Sequence, residues 1–350
     1  MPSPLSMTEI HNPRAGWYRG DFHAHTHFSD GVLSAPELAA LAQRERLDFF
    51  AITDHNTVKA YSNFGEHAGL LIIPGIEVTF KAGHFNVFGV DREFEWLRAV
   101  CAGPRALTAL PGAYPTMNDL MREIAAHGLL NSINHPLLAP WAWCFPDTDP
   151  ANLQCLEIWN DPSWPDNVRD NPRAVELWTR WLNAGYRITA IGGSDFHRSL
   201  PKPGENKPSE RLGRPSTYVY AENLSGNAVL EGLRQRKAIV SMGPRVTFQA
   251  TRNGRSYEIG EEIPEGEGVV TLSATVTQCA TAARACILRN GETVAEAAVS
   301  DGGASLSCEE TSEAGQRGWY RLDVVDANGW MQAITNPIYV GAAHEPGDPP

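Results

Sequence analysis

At 350 residues the chain is long enough for one large domain, or for a domain of about 200–250 residues with a smaller companion. A formal net charge of -12 argues against a broad nucleic-acid footprint but not against a small phosphorylated substrate, since bound cations supply positive charge locally. No apolar run approaches the roughly 18 residues of a membrane span, the opening MPSPLSMTEIHNP does not read as a secretory signal, and six scattered cysteines without a CxxC spacing read as reduced; the expected location is the cytoplasm.

Residues 1–16 are rich in Pro and polar groups and read as a loose arm. Trp17 to Phe22 is predicted as the first strand, leading into the stretch DFHAHTHFSDG. In extended backbone, residues two apart share a side, so His23 and His25 can offer imidazoles to one ion; neutral imidazole is the commonest transition-metal ligand. Ser34 with Glu37 makes a capping box, and Leu38, Leu41 and Ala42 mark the buried stripe of the helix that follows. Leu47 to Thr53 is an apolar run of the kind buried on both faces of a parallel sheet; it ends in Asp54-His55-Asn56. Leu70 to Ile73 is another, and Pro74-Gly75 leads into Ile76-Glu77-Val78. The next strand covers His84 to Val90. Thr116 and Asp119 cap a helix running to about His127, with Gly128 at the usual C-cap position. Leu129 to Ile133 ends in Asn134-His135-Pro136. Cys155 to Trp159 is a strand, Pro172 to Asn183 a helix, and Ile188 to Gly192 a strand ending in Gly193-Ser194-Asp195-Phe196-His197. Ser216 to Tyr220 and a helix near Leu224 to Arg236 close the region.

Strands alternating with helices imply a parallel sheet. About seven such units with chemistry at each strand end imply an α/β barrel, whose reactive groups gather at the C-terminal ends of the strands. An open doubly wound sheet would call for a Gly-rich phosphate loop. After Gly243-Pro244 the texture changes to short strands: Val246 to Ala250, Val269 to Thr277, Ala285 to Arg289, Thr293 to Val299, Gly318 to Val325 and Gln332 to Val340. Asn253-Gly254, Asn290-Gly291 and Asn328-Gly329 signal tight turns. The expected organisation is a barrel over 17–243, a small all-β sandwich over 244–340 and a disordered tail over 341–350.

The strand-end groups are His23, His25, Asp30, His55, Glu77, His84, His135, Asp195 and His197, and they take in six of the eleven histidines. Competing readings stand beside some of them. Asp30 can brace the Ser-Asp-Gly turn. Asp54 can be the ligand in place of His55, or orient it. His84 can be an acid/base or a satisfied strand histidine. His11, His27, His67, His127 and His344 lack supporting context and read as structural or exposed.

The motifs HAHTHFSDG, AITDHN, PGIEVT, GHFNVFG, NHP and GGSDFH together resemble the PHP family, named for polymerase and histidinol phosphatase, over about Trp17 to Met242. The GHFNVFG and GGSDFH forms with a β-rich tail look most like the branch containing the carbaryl-type carbamate hydrolase. The resemblance implies a distorted (βα)7, TIM-like barrel and two to three divalent metal ions. His23, His25, Glu77 and Asp195 would hold one ion; Glu77, His84 and His135 a second, with Glu77 bridging; Asp30, His55 and His197 a third. Asp30 stands where some relatives carry histidine. Mixed nitrogen and oxygen ligands suit zinc, manganese or iron.

Such a site predicts hydrolysis by a metal-bridging hydroxide, with His55, His197 and Asp195 as the catalytic set and no covalent enzyme intermediate. The expected substrate is a small molecule, phosphorylated or aryl-bearing. Trp141, Trp143, Phe145 and Trp164 offer aromatic walls, and Lys202, Lys207, Arg211 and Arg214 offer charge for a phosphate. The leading expectation is a phosphoesterase acting on small phosphorylated metabolites or nucleotides. A carbamate, ester or amide hydrolase is the alternative, and a metal-stabilised binding protein the third reading.

Overall fold

The structure, a computed structural model, describes residues 5–65, 67–111, 114–198, 210–300 and 302–341. Lys202, Lys207, His344 and the expected tail beyond Gly341 lie outside the described residues. The chain gathers into two compact units, one of residues up to 175 with 191–233, the other of residues 176–190 with those from 234 onward.

The first unit contains β1 (Gly16–Asp21), α1 (Ala35–Arg44), β2 (Phe49–Ile52), β3 (Leu71–Phe80), β4 (Gly83–Phe88), α2 (Glu95–Cys101), α3 (Met117–Ala126), β5 (Leu130–Ile133), β6 (Cys155–Asn160), the start of α4 (Asn167–Asn183), the end of β7 (Thr189–Gly193), β8 (Ser216–Ala221) and most of α5 (Gly226–Arg234). Both capping boxes form: Ser34 N–H donates to Glu37 at 2.8 Å, and Thr116 N–H to Asp119 at 3.0 Å. Strands β2 to β6 are buried along their whole length, as their continuous apolar runs require. α2 carries no capping side chain at Phe94, and its seven residues gave no periodic signal. α4 begins at Asn167, with Pro172 inside it.

β1 pairs parallel with β2, β2 with β3, and β5 with β6. β4 is antiparallel to both of its neighbours, β3 and β5, so the sheet is mixed where strand–helix alternation suggested it parallel. The reason is length: Lys81 and Ala82 alone separate β3 from β4, room for a hairpin but not for a crossover of a dozen residues. β3 also runs straight through Pro74-Gly75 and changes partner there. Ile52 pairs with Pro74 on the parallel side and Gly75 with Phe88 on the antiparallel side. Proline cannot donate to a ladder, and a Cβ on Gly75 would meet the carbonyl oxygens of Ile52 and Val87 at 3.0 Å.

Two antiparallel steps leave β5 running parallel to β3. An isolated parallel bridge between Ala24 and Phe196 continues β1 beside the end of β7. The C-terminal ends of β1, β2, β3, β5 and β7 therefore face one rim, and reversed β4 brings its first residues, including His84, to that same rim.

The second unit holds β9 (Ala238–Ser241), β10 (Arg245–Arg252), β11 (Arg255–Glu258), β12 (Glu262–Ile263), β13 (Gly268–Thr277), β14 (Ala283–Arg289), β15 (Glu292–Val299), β16 (Gly303–Ser312), β17 (Gly318–Asp326), β18 (Met331–Thr335) and β19 (Ile338–Val340). Strands β11, β10, β13 and β16 form one antiparallel sheet in that order. β14 pairs with β15 and β17, and β17 with β18 and β19. At Asn253-Gly254 and Asn290-Gly291 both residues of each turn have positive φ, the geometry that asparagine and glycine favour in two-residue hairpins. The unit also takes in residues 176–183 of α4, where Trp178 Nε1 donates to the Ile188 carbonyl at 2.8 Å.

Candidate metal centre

All nine strand-end groups meet at the rim of the first unit. Three sets have one donor atom from each residue within 4.8 Å of the others: His23, His25 and Asp195; His55, Glu77 and His84; and His25, Asp30, His55 and His197. Glu77 lies at the middle. Its Oε1 is 3.1 Å from His84 Nδ1, 3.4 Å from His23 Nε2 and 3.6 Å from His135 Nε2. Its Oε2 is 2.7 Å from His55 Nδ1 and 3.5 Å from His25 Nε2. Asp195 Oδ1 lies 3.1 Å from His23 Nε2 and 3.0 Å from His25 Nε2. Asp30 faces His197 Nε2 at 3.0 Å and His55 Nε2 at 3.5 Å.

Strained backbone delivers two of these groups. His135 and Asp195, with Asn56 and Arg198 beside the site, have positive φ, a conformation that costs a non-glycine residue about 1–2 kcal/mol. Neighbouring contacts hold it. His135 N–H donates to Glu157 Oε2 at 2.8 Å. Buried Asp21 accepts the backbone N–H groups of His23, Ser194 and Gly213 at 3.0, 3.0 and 2.7 Å, fixing both the HxH turn and the turn that carries Asp195. Gly193 makes room: a Cβ there would sit 2.4 Å from the His23 side chain and 2.9 Å from Glu157 Oε1.

Burial opposes charge on Glu77 and Asp195. The imidazoles of His55, His23 and His84 around Glu77, and of His23, His197 and His25 around Asp195, outweigh it and hold both carboxyls well below the usual range. Burial likewise opposes charge on His23, but Asp195, Glu157 and Glu77 prevail and raise its pKa well above that of an ordinary histidine. Burial first, then the neighbouring His197, pushes His25 well below it.

His23 Nε2, Glu77 Oε2, Asp30 Oδ1 and His135 Nδ1 are buried and make no well-aligned hydrogen bond, although the first three have an oppositely charged or imidazole neighbour within 3.1 Å. Unsatisfied buried polar atoms cost about 1–3 kcal/mol each. Imidazole nitrogens and carboxylate oxygens gathered this way, with no thiolate among them, fit divalent zinc, manganese or iron. The donor set therefore fits the metals expected from the sequence.

Some supporting residues escaped the sequence reading. Glu157 Oε1 lies 2.9 Å from His23 Nδ1, the kind of contact that fixes a ligand imidazole; a lone carboxylate inside the buried strand CLEIWN was the available signal. Asn134 donates to Glu77 Oε1 at 2.8 Å. Asp54 accepts from Thr26 N–H and Oγ1 and from Ser29 Oγ at 2.7, 2.6 and 2.7 Å, so it holds the turn after the HxH pair. His27 is exposed, and His127 Nε2 lies 3.0 Å from Glu123 on α3. Arg105, in no motif, touches Asp30.

The PHP domain model matches residues 21–135. No curated protein matches the chain at a significant level. Among solved structures, the chain is similar to a two-domain protein from Bacteroides vulgatus containing a region assigned as a PHP-like metal-dependent phosphoesterase, at 17% identity over 97% of this chain and 99% of that one, with a TM-score of 0.49. It is also similar to a protein from Bifidobacterium adolescentis assigned as a metal-dependent phosphoesterase, at 19% identity over 62% of this chain and 96% of that one, TM-score 0.39. A third is an amidohydrolase from Chromobacterium violaceum with bound sulfate and no metal, at 19% identity over 55% of this chain and 91% of that one, TM-score 0.38.

Proposed function

We propose that the protein is a metal-dependent hydrolase acting on small phosphate esters, with two to three divalent ions of manganese, zinc or iron. The observation that carries the reading is the set of buried, unpartnered donor atoms converging around Glu77. His23, His25, Glu77 and Asp195 would hold one ion, Glu77, His84 and His135 a second, and Asp30, His55 and His197 a third, within a distorted (βα)7 barrel. When bound, such ions supply Lewis acidity and lower the pKa of coordinated water.

The chain's own groups do the rest. Asp195 orients His25 and His197. The His197 side chain is 25% exposed against 0% for His23 and His25, and its Nδ1 lies 2.7 Å from the Asp195 carbonyl; with only two ions bound and its Nε2 free of metal, it serves as proton donor to the leaving group. His55, its Nδ1 2.7 Å from Thr79 Oγ1, is the alternative proton donor under the same two-ion condition. Exposed Trp141 and Trp164 meet edge to face with centroids 5.6 Å apart, on loops that leave β5 and β6 at the site end. They suit a substrate with an aryl or nucleobase part, and an aryl carbamate would use the same surface.

No helix among the described residues is long and apolar enough to cross a membrane, and a cytoplasmic location belongs to the proposal. Among the described residues of 244–340, read as a sandwich, no group of metal-binding side chains gathers. The test is to load the protein with manganese, zinc or iron and assay phosphate monoesters, diesters and aryl carbamates side by side. Monoester turnover is the expected result. Turnover of carbamates alone selects that alternative, and ligand binding with no turnover in any panel selects a binding protein.

A further inference from the structure

We infer that Arg105 is the anion-recognition residue of this centre, its guanidinium taking the phosphoryl oxygens of a phosphate monoester at the mouth of the Asp30, His55 and His197 group. The inference rests on the phosphoesterase reading and names the part of the substrate that sets specificity. Arg105 lies between α2 and α3, and its backbone is clamped from the site itself. Asn56 Nδ2 donates to the carbonyls of Thr79, Arg105 and Pro104 at 3.0, 2.9 and 3.3 Å, while Asn56 Oδ1 accepts the Thr79 N–H at 2.9 Å. Two residues further on, Leu107 N–H donates to the Thr79 carbonyl and the Leu107 carbonyl accepts from Lys81, both at 2.9 Å. Asn56 adjoins His55, and Thr79 stands two residues after Glu77. The elements that aim the donor groups thus also fix the root of Arg105.

From that root the side chain, 56% exposed, reaches the Asp30 carboxylate. An ion pair so exposed contributes roughly 0–1 kcal/mol, so an incoming phosphoryl group can take the guanidinium from Asp30 at little cost while the backbone clamp keeps its root in place. A planar fork of donors held at the edge of a site matches two oxygens of a phosphoryl group, and an uncharged carbamate offers it no anionic oxygen. Arg211, suggested from the sequence for this role, reaches Glu45 at the end of α1 at 3.2 Å.

The experiment uses the full chain loaded with manganese. Inorganic phosphate is titrated by calorimetry, and p-nitrophenyl phosphate and the uncharged p-nitrophenyl acetate are assayed, in the wild type, Arg105→Ala and Arg105→Lys. Arg105→Ala is expected to weaken phosphate binding by about tenfold or more, to raise KM for p-nitrophenyl phosphate by a similar factor, and to lower the preference for phosphate over acetate ester. Metal content by elemental analysis stays at the wild-type level, and Arg105→Lys recovers part of the affinity. Equal phosphate affinity and KM in Arg105→Ala at full metal content would overturn the inference. If the wild type turns over no phosphate ester, the phosphoesterase reading fails separately. Phosphate affinity then decides alone: loss in Arg105→Ala keeps the anion site, and equal or absent binding in both removes it.

Discussion

Each unit holds charged side chains that are buried or largely buried, and the two groups differ in how far they satisfy themselves. In the second unit, Arg321 is 3% exposed and every nitrogen of its guanidinium is engaged. Nε and Nη2 donate to the Asp323 carboxylate at 2.8 and 2.9 Å, and Nη1 donates to Thr179 Oγ1 at 2.8 Å. The group also lies near the rings of Trp178 and Trp319, 5.1 and 5.2 Å from their centroids. In the first unit, six imidazoles and three carboxylates crowd together, yet several of their donor atoms stay unpartnered. A saturated cluster is complete as a packing element. An unsaturated one keeps a residual desolvation cost that a bound cation would lower further. The difference separates a structural polar group from a candidate site without reference to motif.

The largest effect that tests the contrast is at Glu77. Glu77→Gln keeps the volume but replaces one of two carboxylate oxygens shared among five imidazoles. Turnover is expected to fall by about a thousandfold or more, about 4 kcal/mol of transition-state stabilisation, and elemental analysis should show metal lost with it. Full metal content at normal turnover would remove Glu77 from its central place. At Arg321 the expectation is the reverse. Arg321→Ala strands Asp323 and opens a gap between two tryptophans, so stability should drop by about 3 kcal/mol in urea unfolding, while the folded fraction keeps its metal. Lost metal binding without lost stability would show that the saturated cluster has been misjudged.

Much of the unsaturated cluster was legible in the sequence because its groups sit where apolar runs stop. AITDHN and NHP each append polar residues to a buried strand, and an abrupt end to hydrophobicity is readable without knowing strand direction. Direction itself was not readable. The apolar run of β4 is the same read forwards or backwards, and the two-residue link that reverses it is short only once both strand ends are known. The supporting contacts were hidden for another reason. Glu157 meets His23 across 134 residues, and Asn56 meets the Arg105 carbonyl across 49. Neither pairing leaves a local pattern. Nor does the positive φ of His135 and Asp195, since no glycine marks it.

A smaller effect is expected at Asp161, just beyond β6, where the contrast can be followed by pH. Burial first, with the negative charge of Asp195 adding to it, pushes this carboxyl up to about 6. Its folded pKa thus exceeds the unfolded value of about 3.9, so its contribution is fully present below pH ~4 and lost as pH rises through about 6. A shift of that size corresponds to at most about 3 kcal/mol, and partial exposure reduces it to about 1 kcal/mol. Asp161→Asn keeps an acceptor for Ser163 N–H and Oγ, which the carboxylate now holds at 2.9 and 2.6 Å. In the metal-free protein the variant should gain stability over the wild type between pH 4 and 6, and the gain should then level off. Parallel melting curves for the two proteins across that range would show that the carboxyl titrates normally.

The smallest effect is at His127, and it matters because it asks whether a histidine near a carboxylate is enough to make a site. His127 Nε2 lies 3.0 Å from Glu123, as close as any imidazole–carboxylate approach around Asp195, but the two side chains are 37% and 43% exposed. Water satisfies whatever the pair does not, so no unpartnered buried atom results and no cation is needed. A pair of this kind on a helix surface contributes about 0.3–0.5 kcal/mol. His127→Ala should therefore shift unfolding by no more than about 0.5 kcal/mol and leave metal content and turnover at wild-type levels. A collapse in rate with folding intact would mean that proximity alone carries function here, and that burial without partners is the wrong criterion for the centre around Glu77.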